Sequence, residues 1–60
     1  MKKYEIEYEV SNLFGKRSER LITLQPINSD SAFNAVAMLA QRIGDSHRNI
    51  IDIFNVKELP

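Results

Sequence analysis

Residues 3 to 10 read Lys-Tyr-Glu-Ile-Glu-Tyr-Glu-Val, an unbroken alternation of charged and apolar side chains. A period of two over eight residues predicts a half-buried β-strand. Tyr4, Ile6, Tyr8 and Val10 take the inner face, and Lys3, Glu5, Glu7 and Glu9 take the outer one. Aromatic and β-branched residues suit the pleated inner surface. This strand is the fixed point from which the rest of the chain is read.

Ser11 to Ser18 contain Asn12 and Gly15, two residues that tolerate positive φ, and read as a turn. A second strand follows over Glu19 to Gln25, with Ile22 and Leu24 expected inward and Leu21, Thr23 and Gln25 outward. The pair reads as an antiparallel hairpin with a loop longer than the minimum. Pro26 has no N–H to donate and ends the ladder.

Asn28, Ser29, Asp30 and Ser31 supply helix N-cap candidates and an acidic first turn. The helix is expected over Ala32 to Ile43. Ala32, Phe33, Val36, Leu39, Ala40 and Ile43 cluster on its core face, and Gly44 closes it in the left-handed conformation. A last strand runs from Ile50 to about Lys57 with mixed phase. Either it is apolar on both faces, or a bulge between Ile53 and Val56 switches its phase; the bulge is preferred. The expected class is α+β: a single ββαβ domain over residues 1–60. Its three-stranded antiparallel sheet takes the order 2-1-3, with 1-2-3 as the alternative, and one helix packs on one face.

Composition narrows the function classes. The chain has 60 residues, two glycines, two prolines and no cysteine, with 43% hydrophobic residues. That is a globular composition, too short for two cores or a self-sufficient catalytic cleft. Without cysteine there is no disulfide framework and no thiolate chemistry. Glutamates interrupt the N-terminal stretch, so neither a signal-peptide core nor a membrane span is expected, and the cytoplasm is the expected compartment. Eight basic and eight acidic residues cancel, which argues against a general polyanion binder and against an acidic nucleic-acid mimic.

Catalytic patterns are sparse. His47 is the single histidine, and neighbouring Asp45 and Ser46 cannot converge on it as a triad would. No glycine-rich phosphate loop is present, because Gly15 and Gly44 are far apart. No catalytic residue, metal or cofactor is expected. Three surfaces stand out instead. Glu5, Glu7 and Glu9 form an acidic row that would suit a basic partner; the plainer reading is a solvent face partly neutralised by Lys3 and Lys57. The hairpin tip carries Leu13 and Phe14 beside Lys16, Arg17 and Arg20, an apolar anchor next to cations; Leu13 or Phe14 could equally fold back over the core. Ala35, Met38 and Arg42 are expected on the helix flank away from the core, where they would suit a helix contact or reflect helix propensity alone.

The element order resembles the small ββαβ proteins that bacteriophages encode against their hosts, including an inhibitor of bacterial RNA polymerase and some anti-CRISPR proteins. The residues behind the likeness are the alternating Tyr4 to Val10, the strand ending Ile22-Thr23-Leu24, the helix with Ala32, Ala35, Ala37 and Ala40, and the closing strand Ile50 to Val56. The resemblance implies a phage or mobile-element accessory protein that inhibits a host bacterial machine. The neutral charge departs from the strongly acidic members. The leading expectation is a non-enzymatic protein-binding module, a homodimer, contacting its partner through Phe14, Lys16, Arg17, Arg20, Glu5, Glu7 and Glu9. The alternative is a dimeric nucleic-acid binder using Lys16, Arg17, Arg20, Arg42 and Arg48.

Overall fold

The alternating segment becomes β1 (Lys2–Asn12), the strand against which every other strand pairs. The computed structural model describes residues 1–12, 17–46 and 48–60, with the backbone alone for Ile51. Tyr4, Ile6, Tyr8 and Val10 are all buried on one face of β1, as their spacing requires. The longest dimension of the molecule, 36 Å, is what a strand of this length spans at about 3.4 Å per residue.

Among the described residues the sheet has four strands, not three, and the other three each pair antiparallel with β1. β2 (Ser18–Ile22) lies along Glu7–Ser11, and β3 (Ile27–Ser29) lies along Lys2–Tyr4 on the same edge. Between them the chain leaves the ladder. Thr23 holds the join: its N–H donates to the Ile6 carbonyl at 3.1 Å, and its Oγ1 accepts from the Ile6 N–H at 3.2 Å. Pro26 therefore interrupts the edge without ending it. β4 (Arg48–Leu59) takes the opposite edge of β1, so the closing strand does lie against the first.

β4 contains two irregularities. Glu7 faces Asn55 while Tyr8 faces Ile53, which leaves Phe54 as an extra residue; Glu9 faces Asp52 while Val10 faces Ile50, which leaves Ile51 as another. The expected phase switch between Ile53 and Val56 is thus present at Phe54, and a second one was not foreseen. Two bulges convert a spacing of two into a spacing of three. Ile50, Ile53 and Val56 consequently all pack against the core.

The helix α1 (Ala32–Asp45) crosses the inner face over β4, β3 and β1. Ser31 is its N-cap, with Oγ accepting from the Asn34 N–H at 3.2 Å. The expected acidic first turn is absent, because Asp30 precedes the cap. Asp30 instead accepts from the Asn34 side chain at 2.6 Å, and this bond holds its carboxyl below the ordinary aspartate value. The helix also runs past Gly44 to Asp45, closed by Ser46, whose N–H reaches the Ile43 carbonyl at 3.0 Å. Gly44 is therefore a helical residue and not the left-handed terminator.

Two side-chain phases differ from expectation. On β2 the register sets Leu21 opposite Tyr8 on the inner face, while Ile22 is 52% exposed and Leu24 is fully exposed. Leu24 lies beyond the end of β2, so it has no strand phase to share with Ile22. Charge pairing favours the observed phase: Arg20 turns outward to Glu7, and Glu19 turns inward to Arg48. On the helix the buried stripe is Ala35, Leu39 and Ile43. Phe33, expected in the core, is 83% exposed, and Ala35, expected on the outer flank, is fully buried. A small side chain at Ala35 lets the helix approach the sheet closely, and this rotates Phe33 outward.

Candidate interaction surface

The outer sheet face carries the acidic row. Glu5, Glu7 and Glu9 are half-buried there, and the register sets Lys57 opposite Glu5 and Arg20 opposite Glu9. Arg20 lies across the row: its Nε is 2.6 Å from Glu7 Oε2, and its guanidinium carbon sits 4.1 Å over the Phe54 ring. Glu7, Arg20 and Phe54 thus form one cluster that spans β2, β1 and the bulge of β4. Arg20 neutralises Glu7 and Lys57 stands across from Glu5, while on β4 the acidic Asp52 stands across from Glu9. Because both charges keep solvent contact, a double-mutant cycle on Glu7→Gln and Arg20→Met should give a coupling of about 1 kcal/mol or less. A coupling several times larger, read from urea unfolding, would mean that the cluster holds the hairpin together.

Phe14 and Lys16, at the expected hairpin-tip contact, lie outside the described residues, as do Leu13, Gly15 and His47. Arg17 is exposed. Of the cations assigned to the nucleic-acid alternative, Arg20 holds Glu7 and Arg48 holds Glu19, each at 2.6 Å. Of the expected helix flank, Met38 and Arg42 are exposed, while Ala35 belongs to the core.

The inner face has a feature that the sequence reading missed. α1 lies over β4, β3 and β1, and a groove of about 620 Å³ opens between its second half and β2. Tyr8, Leu21, Leu39 and Ile43 form its apolar floor, Leu24 and Gln25 stand on one rim, and Arg42 and Arg48 contribute the charges. No protein-family model, curated protein or solved structure matches the chain. The functional reading therefore rests on this surface chemistry. Among the described residues that line the groove there is no carboxylate and no thiol. Its charged groups among the described residues are the guanidiniums of Arg42 and Arg48, which do not exchange protons near neutral pH. It can bury an apolar side chain and accept a carboxylate at its rim. Among the described residues no cluster of three metal-ligating side chains is present, and no helix is long and apolar enough to cross a membrane.

One signal for this surface was available. Leu24 precedes Gln25-Pro26, a pair that leaves the ladder, so its side chain has no strand face to join. The floor carries no such signal, because Tyr8, Leu39 and Ile43 read simply as core.

Proposed function

We propose that this chain is a small non-enzymatic protein-binding module whose contact surface is the groove between α1 and β2. The observation that carries the reading is Leu24, fully exposed on the rim of a groove with an apolar floor. A large aliphatic side chain in water beside an unfilled apolar groove is the pattern of a contact residue and its pocket. This places contact on the helix side of β2, on the sheet face opposite the glutamate row. The element-order likeness to small phage proteins makes a bacterial host machine the partner class to test first.

A photo-crosslinking amino acid placed at Leu24 should give discrete protein adducts in cells. The same group at Asp52, exposed on the opposite sheet face, should not. Equal labelling from both positions, or adducts to nucleic acid alone, would overturn the reading.

A further inference from the structure

The antiparallel ladder fixes where the polar groups of β2 point. The Thr23 N–H donates to Ile6, so the backbone groups of Thr23 face β1, and by alternation so do those of Leu21 and Glu19. The N–H and C=O groups of Arg20 and Ile22 therefore point away from β1. Among the described residues no strand pairs with that edge. The other free edges are protected in ways that this one is not. β4 is broken by two bulges, and β3 is three residues long with Pro26 immediately before it. Bulges, prolines, shortness and charged side chains, inward-pointing ones included, are the devices by which edge strands avoid pairing. Ser18–Ile22 has a regular register and no proline, and its one inward-pointing charge, Glu19, is paired with Arg48.

We infer that β2 is a strand-addition site and that its occupant is β2 of a second copy, paired antiparallel about a twofold axis at Leu21. This rests on the reading of the groove as a protein-contact surface and names what fills it. Side-chain complementarity selects both the occupant and the register. Centred on Leu21, the pairing sets Leu21 against its twin on the inner face, Arg20 against Ile22, and Glu19 against Thr23. Arg20 and Ile22 then exchange both of their free backbone hydrogen bonds in each symmetric pair. Centred on Arg20, the pairing would set two guanidiniums directly opposite each other, which is unfavourable. The Leu21-centred register opposes no like charges. It also joins the two grooves into one trough between the two helices, roofed by Leu24 of each copy. A stable interface removes roughly 800 Å² from each partner. That is about a sixth of the 4517 Å² surface of this chain, more than a strand pair alone covers, so the merged grooves must contribute.

The test is the solution mass of the full chain over a concentration series, for the native sequence, Ile22→Pro and Ile22→Lys. Ile22→Pro removes an outward N–H while leaving the bonds to β1 in place. Ile22→Lys, at an exposed position, sets a cation opposite Arg20 of the other copy. The native chain should double its mass, and each variant should weaken the dimer about tenfold or more with the far-UV spectrum unchanged. If Ile22→Pro fails to fold, Ile22→Lys decides. A native chain that stays monomeric, or a dimer indifferent to the folded variants, overturns the inference. The cell crosslink from Leu24 separates this from the groove reading. An adduct with a different protein, together with a monomeric purified chain, retains the groove and removes the second copy. A monomer with no adduct removes both.

Discussion

Replacing Ile6 by alanine is expected to cost about 3–4 kcal/mol, within the usual range for a buried isoleucine truncation. A chain of this length has a total stability of roughly 3–9 kcal/mol, so the variant should be largely or wholly unfolded at 37 °C. The size of the effect follows from position. Ile6 is fully buried and is among the largest completely enclosed side chains, with Ile27 and Val10. It lies near the middle of β1, opposite Val56 on β4, and its own backbone is tied on the other side to Thr23. β4 on one side and the hydrogen-bonded Thr23 on the other hold its backbone in place, so the cavity has little freedom to collapse. Ile6→Val removes one methyl group and should cost only about 0.5–1.5 kcal/mol. Urea unfolding followed by circular dichroism, at one protein concentration, reads both. A loss below about 1 kcal/mol for Ile6→Ala would mean that the core is not centred on β1.

The parts of the fold legible in the sequence are those where a single face is buried by regular geometry. Tyr4 to Val10 is the clearest case: the strand is long and regular, and its inner face is apolar at every step. A helix after a cap among Asn28 to Ser31 was legible for a local reason too, but the pattern did not single out Ser31. β3 was not. Ile27-Asn28-Ser29 is three residues of cap-like polarity around one isoleucine, and it becomes a strand because β1 offers an unpaired edge beyond Thr23. The first bulge of β4 was visible as a clash of phases around Phe54. The second was not, because Ile50, Ile51 and Ile53 are equally apolar in either phase. The acidic row was legible as a row, but the pairing of Glu7 depends on Arg20 reaching across to it and to Phe54, a contact between three strands. The groove was invisible for a related reason. It exists because α1 lies toward β3 and β4, and no periodicity within the helix records which strands it covers.

The helix phase supplies the sharpest contrast between the pattern and the packing. Ala35→Leu is expected to destabilise by about 1–3 kcal/mol, because it forces a branched side chain into a filled helix–sheet contact. Phe33→Ala is expected to change stability by no more than about 0.5 kcal/mol, and alanine's better helix propensity offsets part of any lost contact. The residue types suggest the opposite ranking: a phenylalanine on the core face and an alanine on an open flank. That arrangement would make Phe33→Ala cost about 3–5 kcal/mol and leave Ala35→Leu nearly neutral. The structure reverses it, since Ala35 is fully buried and Phe33 is 83% exposed. The reason is the distance between layers. A helix that presents Ala35, Leu39 and Ile43 can settle close on Ile27 and the strands beside it, whereas one presenting Phe33 would stand off and leave voids beside Tyr4. Thermal melts of the two variants at equal concentration decide the matter, at about 4–8 °C per kcal/mol for a domain of this size. A large drop for Phe33→Ala with none for Ala35→Leu would require the helix to be turned about its axis, which would also displace the groove beside β2.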